Sequence, residues 1–579
     1  MTSMEFALGE LEQRTDQALQ AAAAEDVVKR IWRKDATLWK DDEASQKIIR
    51  NALGWLTVPD EMIGVVDELT EFADLIRQRG FQTVMVCGMG GSSLCPEVLA
   101  RTFGRQPDYP ELLVLDSTDP DVLADLLNRI DIQKCLFVIA SKSGSTTEPN
   151  TFYKFWYDQL SRHTSSPGAN FIAITDPGSS LVETAAALGF QRTFLNQVDI
   201  GGRYSALSYF GMVPAALMGI DVRKSLGNAK EAEQSCSPVM PTEKNPALQL
   251  GISIGEAANS GRDKLTLVIE KSIATLGLWI EQLIAESTGK EGKGILPVAG
   301  EDLGDVSDYS TDRLFVSISI DEPSPETSAK LSELNKAGHP VIYRKLSDHY
   351  DLGAEFFAWE FATACAGWRL GINPFDQPNV QESKDATKEL LSTFVSRGSL
   401  PEQTKLVEDD LITIYSEGDA GNLSTTSTLQ AIRSLLASVK ANDYIALLTY
   451  TEETAAINDE LQKIRSSLRD ATKCATTVGY GPRFLHSTGQ LHKGGPDTGV
   501  FFQITANDAV DFAVPGEPYT FGILKQAQAL GDFRSLAKRG RRAIRVDLGS
   551  DTLRGLARLR HLIIEAGHNE PGAVASGGN

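Results

Sequence analysis

The sequence predicts an α/β protein made of doubly wound parallel sheets in successive blocks, with a helical segment in front. Three observations predict it. From Gln82 onward, short apolar runs rich in β-branched and aromatic residues alternate with helical patterns. The alternation stops for a helical connection and then restarts, twice. With 579 residues, the chain also exceeds one ordinary domain.

The elements follow in order. The first 75 residues read as helices, with Ala-rich Gln17–Lys29 and Val65–Arg79 showing helical spacing. In the first block, Gln82–Cys87, Glu111–Leu115, Cys135–Ala140 and Asn170–Thr175 are strands. Helices lie between them at Pro96–Phe103, Asp121–Asn128 and Pro149–Leu160. A helical connection, Val222–Gly261, leads to strands Lys264–Glu270, Arg313–Ile320 and Pro340–Lys345. A long helix, Thr275–Ser287, follows the first of these, and helices Glu355–Leu370 and Val380–Phe394 close the block. From Gly398 the pattern resumes. Strands are expected at Tyr444–Tyr450, Val500–Thr505 and Ala543–Leu548, and helices at Ile457–Cys474 and Tyr519–Arg539. The Gly/Ala/Ser-rich tail Pro571–Asn579 is expected to be disordered. The boundaries are therefore 1–75, 76–230, 231–396 and 397–579.

Composition narrows the function classes. Hydrophobic content of 42% and charged content of 23% are those of a globular protein. A net charge of −21 argues against a nucleic-acid partner. No 18-residue apolar run is present, so no membrane partner is expected. The N-terminus lacks a basic region before an apolar core, and none of the six cysteines forms a C-x-x-C pair. Free thiols in the cytoplasm are expected.

The richest chemistry lies in Val138–Glu148. A strand pattern ends at a turn carrying five hydroxyls (Ser141, Ser143, Ser145, Thr146, Thr147), and a helix starts at once. Orphan N–H groups and the helix dipole there favour an anion, most simply phosphate. Ordinary N-capping is the bland alternative. The preceding strand ends at Gly88-Met-Gly-Gly-Ser-Ser-Leu94. Ser93 stands where a dinucleotide turn needs its third glycine, and no Gly-Lys-Ser/Thr follows, so neither a dinucleotide nor a nucleotide triphosphate is indicated. Asp116 is an arguable ribose acceptor. No cofactor and no metal are expected.

The two turns together resemble the SIS (sugar isomerase) domain. Three further segments are similar to those of the phosphoglucose isomerase family: Asp199-Ile-Gly-Gly-Arg-Tyr-Ser-Ala-Leu-Ser208, Glu286-Ser-Thr-Gly-Lys290, and Asn373-Pro-Phe-Asp-Gln-Pro-Asn-Val-Gln-Glu-Ser-Lys384. They stand in family order and spacing between Gln82 and Phe394. The rest of the chain resembles the isomerase portion of bacterial transaldolase–isomerase fusions, although the residues before Gln82 are too few for a barrel of about 200 or more. The resemblance implies two SIS-type domains plus a C-terminal α/β block, acting on a sugar phosphate as a homodimer. The activity implied is interconversion of glucose 6-phosphate and fructose 6-phosphate. A dual phosphoglucose/phosphomannose isomerase and a non-catalytic phosphosugar-binding regulator are the alternatives.

An aldose–ketose isomerase needs a base of carboxylate strength, a cation at the developing oxyanion, and groups that open the ring. Glu286 ends an apolar helix, where burial and the dipole both disfavour its charge, as suits a base; the bland reading is a solvated glutamate before the Gly289 cap. Arg203 follows two glycines and carries a permanent charge. By resemblance it stabilises the enediolate, and Lys384 assists ring opening; a structural ion pair and a surface lysine are the alternatives. Gln282 and Gln377 are placed to bond sugar hydroxyls. By resemblance, phosphate recognition falls on Gly91, Ser92, Ser141, Lys142, Ser143 and Thr146. The family's histidine is missing from the expected interval Gly294–Asp312. Leu485-His-Ser-Thr-Gly-Gln490 resembles its motif, which makes His486 the candidate, brought in cis or from a partner subunit. His339 and His492 are rivals, and a His486–His492 metal pair lacks a third ligand.

Overall fold

Sixteen strands form three sheets in the computed structural model, which describes residues 3–417 and 425–567. The tail Pro571–Asn579 lies outside the described residues. The N-terminal region is not wholly helical. It opens with strand β1 (Ser3–Ala7), antiparallel to Val341–Leu346 in the register Ser3↔Lys345. The Ala-rich helix is in fact two, Glu12–Ala24 and Val27–Trp32, because Asp26 turns left-handed at φ 52°.

The first sheet holds β2 (Thr83–Cys87), β3 (Glu111–Leu115), β4 (Cys135–Ala140), β5 (Phe171–Thr175) and β6 (Arg192–Leu195), all parallel, in the order β3-β2-β4-β5-β6. The chain runs outward from β2 to β3 and then returns across β2 to β4. The switch point therefore lies between β2 and β4, whose carboxyl ends carry the two polar turns. Every residue of β2 and β4 is buried, as a parallel sheet covered on both faces requires.

The second sheet has the order β1-β10-β9-β7-β8, from β7 (Lys264–Ile269), β8 (Leu296–Ala299), β9 (Arg313–Ile320) and β10 (Val341–Leu346). The third holds β11 (Thr404–Glu408), β12 (Thr413–Ser416), β13 (Tyr444–Tyr450), β14 (Ala475–Tyr480), β15 (Gly499–Thr505) and β16 (Arg542–Asp547), in the order β11-β12-β16-β15-β13-β14. Here β14, β13, β15 and β16 are mutually parallel, while β12 and β11 run antiparallel at one edge.

Five helices position the site: α1 (Leu94–Phe103), α2 (Thr147–Ser161), α3 (Leu276–Thr288), α4 (Pro378–Arg397) and α5 (Phe521–Lys538). Nearly every residue of α3 is buried, as expected of a helix apolar on all sides. Proline at its first turn starts α4, and left-handed Gly398 ends it. The Thr520 hydroxyl caps α5 by accepting from the Ile523 N–H at 3.2 Å.

The largest apolar cluster joins the N-terminal helices to one face each of the first and second sheets. The opposite face of the first sheet is closed by Phe152, Phe155 and Trp156 together with Val514 and Phe521 of the C-terminal block. Burying Phe521 alone stabilises that contact by about 1.5–3 kcal/mol. Arg483 adds a bidentate pair to Asp116 at 2.9 Å on each arm. The C-terminal block is thus fastened to the first sheet.

Candidate active site

The site is built around the turn after β2. Gly90 has φ 56°, and a Cβ there would lie 2.8 Å from Gln282 Nε2 and 3.0 Å from the His486 carbonyl. A Cβ on Gly91 would lie 1.9 Å from the Gly202 carbonyl. Only bare backbone lets the Arg203 loop, α3 and the His486 segment meet at this point.

Arg203 is buried, with 3% exposure. It donates from Nε to the Ser287 hydroxyl (2.7 Å), from Nη1 to Gln377 Oε1 (3.0 Å), and from Nη2 to the carbonyls of Pro374 (2.7 Å) and Asp376 (3.0 Å). Its Nη1 also stands 3.4 Å from Glu286 Oε1. One turn earlier on α3, Gln282 Nε2 donates to Glu286 Oε2 (3.1 Å) and to the His486 carbonyl (2.7 Å). Its buried Oε1 accepts nothing. Lys290 Nζ donates to the Asn373 carbonyl (2.8 Å) and Asp376 Oδ1 (2.6 Å), and burial pulls its ammonium down to about 8.

The hydroxyl-rich turn follows β4. Gly144 takes φ 67°, and a Cβ there would collide with the Leu181 N–H at 2.7 Å. Ser141 is buried and its hydroxyl has no partner. The N-cap of α2, Thr146, makes no side-chain capping bond. An orphan hydroxyl beside an uncapped helix N-terminus is the provision an anion requires. Ser92 is buried in the neighbouring turn. The exposed hydroxyls of Ser143 and Ser145 bond each other at 3.0 Å. Lys142 is directed elsewhere: its ammonium pairs with Asp176 and donates to the Val198 carbonyl at 3.0 Å.

Thr146, Lys384 and His486 line one cavity of about 660 Å³. Lys384 is exposed on α4. His486 is supplied within the chain: its Nε2 stands 3.3 Å from Glu148 Oε1 on α2. Gln528 of α5 donates to the same oxygen at 2.6 Å and accepts from the Thr118 hydroxyl at 2.7 Å. Burial by itself would raise the Glu148 carboxyl, but the His486 imidazole, a backbone N–H and the Lys384 charge together hold it below the usual range.

Glu148 and Gln528 are the site residues that sequence reasoning missed. Glu148 stood inside the hydroxyl-rich segment, and the only signal was its place one residue into the new helix. The rival histidines are elsewhere. His339 packs edge-on to Phe315, and burial lowers it to about 4. His492 is fully buried and bonded to the Tyr444 hydroxyl at 2.9 Å. Among the described residues, the cluster with metal-ligand spacing is Asp119, Asp121 and Asp508, two of which are already paired with Lys525, Asp119 at 2.8 Å and Asp508.

Two doubly wound sheets with a polar cleft at a switch point define the protein's class: it is a doubly wound α/β protein. Within that class it resembles the phosphoglucose isomerases, and residues 61–295 match the family model "Phosphoglucose isomerase". A probable glucose-6-phosphate isomerase of Methanococcus maripaludis is 26% identical over 392 residues, covering 60% of this chain and 86% of that protein. A glucose-6-phosphate isomerase structure from Chlamydia trachomatis superposes with a TM-score of 0.55 at 19% identity, over 68% of this chain and 89% of that one. A hypothetical protein of Thermus thermophilus gives a TM-score of 0.58 at 22% identity, over 67% and 100%. Both likenesses speak to the fold. The matched segment includes Gly91, Ser141, Arg203, Gln282 and Glu286, whereas Lys384 and His486 lie beyond it.

Proposed function

We propose that this protein is an aldose–ketose isomerase interconverting glucose 6-phosphate and fructose 6-phosphate through an enediol. The observation that carries the reading is the buried pair Glu286–Arg203, 3.4 Å apart, on a glycine turn beside an unsatisfied, hydroxyl-rich helix N-terminus. A phosphosugar-binding regulator needs the second feature but not the first.

In this reading the phosphate is held by Ser141, Ser143, Thr146 and the N–H groups opening α2, with Gly91 and Ser92 closing the other side. The hydroxyls of the open-chain sugar face Gln282 and Gln377. Glu286 takes the proton from C2 of the aldose and returns it to C1. Arg203 stabilises the enediolate oxygen, being fixed by its ring of neighbours and unable to lose its proton. His486, held by Glu148, moves a proton to the ring oxygen as the ring opens, assisted by Lys384. Lys142 serves the turn through Asp176 and does not touch the substrate.

Glu286→Gln tests this directly. It keeps the shape and the Gln282 contact but removes the base. In a coupled assay with fructose 6-phosphate, kcat should fall about 100- to 10,000-fold, with phosphosugar binding nearly intact. Near-wild-type turnover refutes the assignment. By the same resemblance the protein works as a cytoplasmic homodimer; the six free and buried thiols suit a reducing compartment.

A further inference from the structure

The third sheet repeats the logic of the first. From β13 the chain runs outward to β14, then returns across β13 to β15 and β16, so a second switch point lies between β13 and β15. Near the carboxyl ends of these strands is a cavity of about 480 Å³, bordered by their last residues: Tyr450 of β13, Thr505 of β15 and Asp547 of β16. Ligands in doubly wound sheets bind at such places.

Arg545 supplies the chemistry. It lines the cavity and is only 4% exposed. Its Nε donates to Gln503 Oε1 at 2.7 Å, its Nη1 bonds Gln403, and its guanidinium lies over the Phe533 ring at 5.1 Å. Its Nη2 is buried with no partner. Among the described residues no carboxylate forms an ion pair with it, and burial pulls the guanidinium down to about 10. Asp547, Asp532 and Glu417 oppose that shift from a distance without bonding the guanidinium, so what the structure leaves open is the Nη2 donor, and a buried donor without an acceptor costs free energy. The other charges on the cavity are committed. Asp547 accepts from the Thr505 hydroxyl (2.7 Å) and the Gly549 N–H (3.0 Å). Lys525 is held by Asp119 and Asp508.

We propose that this cavity is a second anion site, in which Arg545 receives the phosphate or carboxylate group of a small metabolite. The site is separate from the isomerase cleft and stands whether or not the isomerase reading does. Helix α5 divides the two: Gln528 donates to Glu148, while Gln526 on the same helix lines the cavity.

Calorimetric titration of the full-length protein with sodium phosphate, and separately with sodium malonate, tests the proposal. The titrations are run on the wild type, Arg545→Gln and Gln526→Glu; Gln526 is exposed, so its variant keeps the fold while placing a negative charge at the rim. Either variant should weaken one binding event about tenfold or more, with the circular dichroism spectrum unchanged. Response to phosphate alone, malonate alone or both identifies the group received. If Arg545→Gln unfolds, Gln526→Glu decides. Wild-type titrations in the folded variants overturn the proposal. So does loss of the same event in Ser141→Ala, which would assign it to the first turn. The isomerase reading fails on a different measurement, the turnover of Glu286→Gln.

Discussion

At the scale of single residues, the site is organised by what each charge faces. Glu286 meets a cation, and its neighbour Gln282 meets a carbonyl that belongs to the histidine segment. Glu286, the proposed base, and His486, the proposed ring-opening group, are therefore linked through one amide. His486 in turn faces Glu148, a buried carboxylate whose second support comes from Gln528. A carboxylate at one imidazole nitrogen fixes the ring's orientation and tautomer, and it stabilises the imidazolium formed on proton uptake. This division of labour has a measurable consequence. His486→Ala should slow turnover of ring-closed substrate by about 100-fold or more, with much less effect on an acyclic analogue that needs no ring opening. Glu148→Gln, which keeps the size but not the charge, should show the same pattern more weakly. Steady-state kinetics on both substrates check this, and equal effects on the two would assign His486 a structural role.

At the scale of elements, the turn between β2 and α1 is the meeting point of the site, because three segments converge on two glycines. Gly90→Ala would strain a left-handed residue by about 1–2 kcal/mol and push a methyl against Gln282 and the His486 carbonyl. The side chain of Gln282 can shift, but the carbonyl is backbone. The expected outcome is a modest loss in urea-unfolding stability with a much larger loss of kcat; stability and activity falling in proportion would contradict it. The strands that build this region were legible in the sequence, since β2, β4 and β5 are short, continuous apolar runs. Six strands were missed, β1, β6, β8, β11, β12 and β14, and all but β12 lie at a sheet edge. β8 contains Pro297 and survives only as a sheet edge, where a lost N–H is tolerated. β1 is five residues stabilised by pairing with β10 across the whole N-terminal half of the chain. β14 is half-exposed and ends in Gly479-Tyr480 at another edge. Local pattern cannot report a strand whose stability comes from a distant partner. The site followed the same rule. Its glycines, hydroxyls and Glu286 are written in local segments, whereas the Lys142–Asp176 pair and the Glu148–His486–Gln528 contact exist only after the sheets pack.

At the scale of the molecule, the C-terminal block is a wall of the cleft. It contributes His486 and Gln528, and it reaches the first sheet through Phe521, Val514 and the Arg483–Asp116 pair. Asp116, the arguable ribose acceptor, is thereby committed to an arginine, and it also accepts from the Ser93 hydroxyl at 3.2 Å. Arg483 lies three residues from His486, so loss of the salt bridge that joins the blocks is expected to displace the imidazole. Asp116→Ala would leave Arg483 with Glu453 alone, at 3.1 Å, and should cost about 1–3 kcal/mol, since Asp116 is buried while Arg483 keeps some contact with solvent. Asp116→Asn would keep one hydrogen bond and should cost less. Because the damage falls on the junction, it should appear twice: as a lower Tm, and as a kcat loss concentrated on ring-closed substrate, the signature of a displaced His486. The two variants should rank in the same order by both measures. A stability loss in Asp116→Ala with unchanged kinetics on both substrates would show that the imidazole is positioned without this bridge, by the Gln282 and Glu148 contacts alone.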